Sequence, residues 1–429
     1  MARLIAVLSL VTVFASAADA RLRSDYSLEL GLEGRYHPQE PLDPQQEDSV
    51  VSLRAAPEAY WAWGKRRAHS VTFEGFGRVD SADEERSHAD VRELYYGWRG
   101  RSLELRVGVR RVFWGATESV HLVDIINQTD FVENPDGEDK LGQPMVKLAW
   151  VGDLGTVDFF VLPYFRERTF AGPEGRLRFH APPPQAAICP GIGNCFVNAQ
   201  RFNYDEPIYE SADEETHLDY AVRWTKTLGS VDLGLSHFSG TARAPEFRFV
   251  PTAAPVPGPG APLVSGELRP YYGLVDVSGL TATWVAGGLL AKLEATHTNR
   301  HGGNTFASAA GGFEYTFVGV VGAWDAGLVM EYLWDERPSA SLDASPFNND
   351  LFLATRLAGN DIAGTEILAG AVTDLDSQTV FANIEASRRF GPNWKGVLEL
   401  RAFSNVADKD PLRSFQRDDY LSLELIRYF

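Results

Sequence analysis

Past residue 20 the 429-residue chain contains no apolar run near the ~18 residues that a membrane-spanning helix needs, so helical spans are excluded. Cations are scarce as well. Lys and Arg number 40 against 58 Asp and Glu, a net charge of −18, and so acidic a surface repels phosphate and excludes nucleic acid as a partner. Cysteine is nearly missing: Cys189 and Cys195 both lie in CPGIGNC, where proline and glycines permit a tight turn. A small-loop disulfide there is expected to contribute about 2 kcal/mol, mostly locally, with two free loop thiols as the alternative. The nine histidines are scattered without zinc-site spacing, so neither metal nor cofactor is expected.

What is present begins with MARLIAVLSLVTVFASAADA. One early cation (Arg3), an apolar stretch from Leu4 to Phe14 and small residues at Ala15, Ala17, Ala18 and Ala20 read as a cleaved secretory signal over 1–20, not a membrane anchor. Cleavage after Ala20 fits the small-x-small pattern of Ala18-Asp19-Ala20, and Ala15-Ser16-Ala17 offers a second site. The remainder, 21–429, is long enough for two or three ordinary domains or for one large closed sheet.

From Asp25 onward the dominant period is two. In SLELRVGVR, Leu103, Leu105, Val107 and Val109 alternate with Glu104, Arg106, Gly108 and Arg110, one apolar and one charged face of a strand. LDYAVRWT sets Leu218, Tyr220, Val222 and Trp224 against Asp219, Ala221, Arg223 and Thr225. LLAKLEAT, TVFANIEASRR and WKGVLELRA repeat the scheme, with Lys292, Glu294, Glu385, Arg389, Glu399 and Arg401 on their polar faces. About eighteen such segments begin near residues 25, 49, 68, 87, 102, 143, 155, 217, 230, 270, 288, 307, 324, 347, 364, 378, 394 and 418. Their connections alternate between short and long. The expected fold is therefore all-β: a single transmembrane antiparallel up-and-down β-barrel of about 18 strands over 21–429, with 16 as the alternative. Its long extracellular loops are expected at 113–142, 167–216 and 242–269.

A magnitude orients the strands. On the lipid side near a bilayer midplane each of Arg106, Arg110, Arg223, Lys292, Arg389 and Arg401 would cost roughly 2–4 kcal/mol, and several together exceed the roughly 5–15 kcal/mol of a typical fold. The charged face must point into a wet lumen and the Leu/Val/Ala face outward. Aromatics near strand ends, namely Tyr60, Trp61, Trp63, Tyr95, Tyr96, Trp98, Tyr271, Tyr272, Tyr332, Trp334 and Trp394, are expected in the two interfacial girdles.

The last strand, in RDDYLSLELIRYF, carries a terminal aromatic, Phe429, with Leu421, Leu423 and Leu425 at alternate positions before it, and resembles the C-terminal signature of Gram-negative outer-membrane barrels. The resemblance implies that Phe429 is read by the barrel-assembly machinery, that the location is the outer membrane of a Gram-negative bacterium, and that outer-membrane lipid and lipopolysaccharide are partners. Homo-oligomers are compatible with it. Arg427 departs from the pattern, which wants an apolar or aromatic residue there, although a cation this close to the edge can snorkel to the interface. RVGVRRVFWG and FNNDLFLATRLAGNDIAGTEILAGAVTDLD are similar in style to stretches of uncharacterised outer-membrane families and alginate-export-type barrels. No functional residue is carried over from those families.

The segment 113–142, FWGATESVHLVDIINQTDFVENPDGEDKLG, combines a helix-like apolar stripe of Val120, Val123, Ile125 and Ile126 with the acids Glu118, Asp124, Asp130, Glu133, Asp136, Glu138 and Asp139. Folded into the pore, it narrows the lumen and sets its acids against Arg106 and Arg110 in a transverse field that favours small polar or cationic solutes. Packed on the rim, it is a lid with solvated acids. Arg223, Glu399 and Arg401 are expected to line the lumen too. DEPIYESADEE lacks the glycine and regular ligand spacing of an EF-hand and is expected to be a solvated acidic loop. TAAPVPGPGAP reads as a loop tip. His237 and Ser239 in LSHFSG share a face, but neither an oxyanion donor nor an orienting group can be identified beside them, so no enzyme is expected.

An eighteen-strand cylinder leaves a water-filled passage unless a loop plugs it. The expected function is diffusion of small hydrophilic solutes through an outer-membrane, porin-like channel with weak cation preference, 113–142 forming its constriction. The outlet barrel of an export pathway and a non-conducting structural or adhesive barrel are the alternatives.

Overall fold

The computed structural model describes residues 22–189, 193–258, 261–337 and 347–429. The expected signal over 1–20 lies outside them, as do the middle of the Cys189–Cys195 loop, part of the 252–262 tip and most of the 336–347 connection.

Strands follow one another with no α-helix among the described residues. The barrel opens with β1 (Arg23–Tyr36), β2 (Ser49–Trp63), β3 (His69–Asp80), β4 (Ala89–Arg99), β5 (Leu103–Arg110), β6 (Gln143–Gly152) and β7 (Gly155–Leu162). A long loop then holds β8 (Gln185–Cys189), β9 (Gly193–Phe202) and β10 (Ile208–Tyr209), before β11 (Asp219–Leu228) and β12 (Val231–Thr241) resume the barrel. The next loop holds β13 (Glu246–Pro251) and β14 (Leu263–Tyr272). The barrel is completed by β15 (Leu274–Ala286), β16 (Leu289–Arg300), β17 (Thr305–Val321), β18 (Trp324–Asp335), β19 (Asn349–Ala358), β20 (Glu366–Asp374), β21 (Val380–Phe390), β22 (Trp394–Ser404) and β23 (Tyr420–Tyr428).

Eighteen of these strands form one closed antiparallel sheet in which each pairs with its neighbours in chain order, across the loop strands where those intervene. Closure is made by β1 and β23, in register from Tyr36 with Leu421 to Glu29 with Tyr428. Phe429 extends the seam, its amide donating to the Leu28 carbonyl at 3.0 Å. At the short-turn end, Gly229 (φ 64°) and Gly287 (φ 61°) take the left-handed conformation that two-residue hairpins need and that a side chain disfavours.

The alternation sorts side chains as the cation argument requires. On β18, Leu328, Met330, Tyr332 and Trp334 face out and are exposed, while Val329, Glu331, Leu333 and Asp335 are buried inside. Leu351 and Leu353 on β19 and Leu421, Leu423 and Leu425 on β23 extend this apolar exterior. An exterior of that kind around a closed sheet is the surface of a transmembrane barrel. Arg427 stands on the outer rim between the rings of Trp394 and Phe429, its guanidinium 5.0 and 4.8 Å from their centres.

Three expectations need correction. Tyr271 and Tyr272 are not girdle residues: they end β14 and are buried, Tyr272 packing edge-on against Phe165 with ring centres 4.9 Å apart. Tyr95 points into the lumen, where the Arg110 guanidinium covers its ring at 5.2 Å. The lumen is not lined by polar groups all round. Inward positions of the β6–β15 side, among them Met145, Phe160, Ala221, Phe238, Val275 and Val277, form an apolar core that needs a partner from within. The five loop strands, which the sequence pattern does not reveal, build a second sheet, β8–β9–β14 with β10 and β13 on β14, at the long-loop end.

Leu353→Arg, on the exterior near the middle of β19, is expected to lower the free energy of folding into phospholipid vesicles by ~2–4 kcal/mol, read from the shift in urea midpoint. An unchanged midpoint would place Leu353 away from acyl chains.

Candidate functional site

The partner of the apolar wall is the connection between β5 and β6, which turns inward instead of covering the mouth. Trp114, Val123 and Ile126 complete the core on the β6–β15 side, Trp114 meeting Phe160 at 5.5 Å between ring centres. Val120 and Leu122 pack on a second apolar patch formed by Ala310, Val329, Leu333 and Phe352 on β17, β18 and β19. No helix forms here. The stripe of Val120, Val123, Ile125 and Ile126 is a run of bends whose side chains diverge to two walls.

An irregular segment inside a barrel leaves backbone amides without sheet partners, and each must be satisfied. Two buried carboxylates of the wall do this. Glu294 on β16, 0% exposed, accepts hydrogen bonds from the amides of Ala116 (2.5 Å), Thr117 (3.0 Å) and Val123 (3.1 Å) and from the Thr117 hydroxyl (2.9 Å). Glu331 on β18 accepts from the amides of Glu118 (2.8 Å) and Ser119 (2.9 Å) and from the Ser119 hydroxyl (2.6 Å). β18 is the thirteenth barrel strand and β4 the fourth, so the loop reaches across the lumen.

The loop's acids then find wall cations around the circumference. Glu118 pairs with Lys292 at 3.2 Å and with Arg356. Glu133 pairs with Arg78 at 2.8 Å, and Asp130 pairs with Arg92 and accepts from Thr169 Oγ1 at 2.7 Å. Asp136 pairs with the buried Arg401, which also meets Glu399 at 2.6 Å. Asp124 pairs within the loop with Lys140 at 3.4 Å, and Glu138 with His121 at 2.7 Å. Asp139 has no ion-pair partner among the described residues.

The expected opposition of these acids to Arg106 and Arg110 is not found. Arg106 pairs with Glu104 on its own strand at 3.4 Å, and Arg110 lies over Tyr95. Arg223 donates to the Trp114 carbonyl at 3.3 Å and stacks over the Trp114 ring, so it holds the loop's root. Pairing acid with base at contact distance leaves little net transverse field.

Five loop groups have displaced proton equilibria: burial pushes the Asp124 carboxyl up and, with Asp136 nearby, that of Asp139 up to about 7, the hydrogen bond from His121 holds Glu138 below the usual carboxylate range, and His121 and Asp130 are shifted toward their charged forms. Burial alone would weaken proton binding at His121, but the hydrogen bond to Glu138 and the Glu294 carboxylate 3.8 Å from its other nitrogen push its pKa up to about 10. Burial opposes ionisation of Asp130, yet His88, Arg92 and Thr169 hold its carboxyl at about 2. The His121 and Asp130 shifts favour the charged, docked loop, whereas those of Asp124 and Asp139 oppose ionisation.

A second inward loop follows β7. Arg176 pairs with Asp418 at 2.8 Å and Asp48 at 3.2 Å, and Leu177 joins Phe403, Phe415 and Tyr420 in a third apolar cluster. Between the two loops and the inner wall from β15 to β22 lies a cavity of about 2320 Å³. Asp136, Glu385 and Glu399 bring carboxylate oxygens within 4.8 Å of one another at its edge, the spacing a cation would use. Arg401 already supplies positive charge to two of them.

Elsewhere, Cys189 and Cys195 are joined as a disulfide with Cα atoms 5.9 Å apart, linking β8 to β9. The acidic stretch 205–215 is partly engaged, not merely solvated: Glu206 pairs with Arg269 at 2.6 Å, and Glu210 accepts from the Leu274 amide at 2.7 Å. His237 is on the exterior with Nδ1 3.0 Å from Ser278 Oγ, across the strand pair from it. Sequence reasoning missed Glu331, Arg78, Arg92 and Arg356. For Glu331 there is a signal, a carboxylate set between Val329 and Leu333 on the inward face.

No protein-family model and no curated protein matches the chain, alginate-export-type barrels included. Among solved structures it is similar to a triple mutant of the Rhodopseudomonas blastica porin, 11% identical, covering 95% of this chain and 100% of that one with a TM-score of 0.44. It is also similar to a loop-deletion form of OmpT, an outer membrane protein of Vibrio cholerae, 10% identical, covering 95% and 99% with a TM-score of 0.45.

Glu294→Ala or Glu331→Ala is expected to loosen the loop by about 2 kcal/mol or more, a ~30-fold rise in its opening constant, because charged acceptors of several amides are lost. Faster hydrogen exchange over 113–125 checks this, and unchanged exchange would show that apolar packing alone holds the loop. His121 gives a pH dependence of definite sign. Its folded pKa is raised above the ordinary 6.5, so its contribution to docking is complete below that value, falls as pH rises toward about 10 and is absent above. Limited digestion by an alkaline-active protease should therefore nick 113–142 progressively faster over that window in the wild type, and His121→Gln should flatten the profile.

Proposed function

We propose that the protein is an outer-membrane channel whose lumen is constricted by the loop between β5 and β6. The observation that carries this reading is the loop's position: it lies within the closed sheet, anchored on Glu294 and Glu331, beside a cavity of about 2320 Å³. An adhesive or purely structural barrel has no need of a loop held inside by wall carboxylates. In this reading the short turns face the periplasm and the long loops the exterior, as in bacterial barrels. Lipid and lipopolysaccharide contact the apolar belt, and the assembly machinery reads the exposed Phe429. Small water-soluble solutes diffuse through this cavity, which borders the apolar core of the β6–β15 side. No catalytic step is involved.

The test is electrical. Refolded protein in a planar bilayer should give stepwise conductance, and deletion of 116–138 should raise the single-channel step several-fold by removing the obstruction. Arg356→Gln, which leaves Glu118 with Lys292 alone, should shift selectivity toward cations. A folded protein that stays silent, with and without the deletion, would refute the channel and favour the structural barrel.

A further inference from the structure

The open side of the lumen is unusual in what lines it. Thirteen of the chain's 25 phenylalanines border the cavity, and none of its ten tryptophans does. Rings without a polar handle are a poor lining for sugars, which need paired donors and acceptors, and a good one for flat apolar bodies. The rings form a continuous tract contributed by separate segments. Phe131 of the first inward loop stacks on Phe179 of the second with centres 5.6 Å apart and planes 15° apart. Phe179 reaches Phe415 at 5.3 Å and Phe202 at 5.9 Å, and Phe202 meets Phe247 edge-on at 4.8 Å.

One cation belongs to this tract. Arg168 holds its guanidinium 5.9 Å from the centre of the Phe131 ring and lines the cavity. Its side chain makes one long contact, Nε to Gln128 Oε1 at 3.4 Å, and has no carboxylate at ion-pair distance among the described residues. The cations that the loop acids engage, Arg78, Arg92, Lys292, Arg356 and Arg401, are all neutralised. A guanidinium left without an acid beside a bank of rings matches a ligand with a ring at one end and a carboxylate at the other.

We propose that this tract binds small aromatic carboxylates, the ring seated against Phe131 and Phe179 and the carboxylate on Arg168, and so makes them preferred solutes. The proposal deepens the channel reading and rests on it for transport, though not for binding.

The experiment uses the full mature chain in planar bilayers with benzoate added on the long-loop side. Millimolar benzoate is expected to interrupt the current in a concentration-dependent way, with acetate at least tenfold less effective and cyclohexanecarboxylate several-fold less. Arg168→Gln should abolish the benzoate effect, Arg168→Lys should restore part of it, and Phe131→Leu should weaken it several-fold. A conducting channel that benzoate affects no more than acetate overturns the proposal and leaves the channel. If the protein does not conduct, or Arg168→Gln does not fold, equilibrium dialysis of benzoate against the folded wild type decides. Saturable binding that acetate fails to displace upholds the aromatic site, and its absence overturns it.

Discussion

The arrangement depends on carboxylates buried in the barrel wall that are completed by donors of another segment, backbone amides for both and His121 as well for Glu294. Glu294 and Glu331 are 0% and 1% exposed, and an ionised carboxylate left there without donors would be costly. The loop between β5 and β6 has the complementary deficit, amides at Ala116, Thr117, Glu118, Ser119 and Val123 that no strand can satisfy. Each side cancels the other's penalty. That mutual requirement places the loop inside the cylinder, and the ion pairs of Glu118, Asp130, Glu133 and Asp136 then fix its course around the wall.

The same economy of partners explains why the interior is of two kinds. Where the loop docks, the wall presents Phe160, Phe238 and Val277 on one side and Val329, Leu333 and Phe352 on the other, and the seam is packed as in a soluble domain. Beyond that apolar seam the inward residues include Lys292, Arg356, Asn383, Glu385 and Arg401, which face the cavity, Lys292, Arg356 and Arg401 pairing there with the loop's acids. Such a barrel is apolar outside against acyl chains, apolar inside where its own chain fills it, and polar or aromatic where solvent enters.

Much of this was legible in the alternation. All eighteen barrel strands begin within a few residues of where period-two segments do, and the outward Leu and inward cation assignments hold on β5, β11, β16, β21 and β22. The presence of a constricting segment could be suspected from a long stretch mixing apolar and acidic residues. Its partners could not, because Glu118 meets Arg356 and Asp136 meets Arg401 across hundreds of residues, a matter of barrel closure that no local pattern records. The second sheet escaped for a different reason. LVSGELRPYY in β14 contains Gly266 and Pro270 and is buried on both faces, so it shows no clean alternation, and its tyrosines resemble girdle residues until their burial is known.

Asymmetry finally decides where anything could pass. The first loop consumes the β6–β15 side with an apolar seam, and the second closes the region near β22 and β23 through Arg176 with Asp418 and Leu177 with Phe403 and Tyr420. What is left is a cavity bordered by the two loops and by the inner wall from β15 to β22. Its upper wall is phenylalanine drawn from four separate loops, a composition that cannot arise from the barrel's own alternation and must be supplied by loop folding. The loops that fill part of the lumen are therefore also the ones that supply the phenylalanines of its cavity.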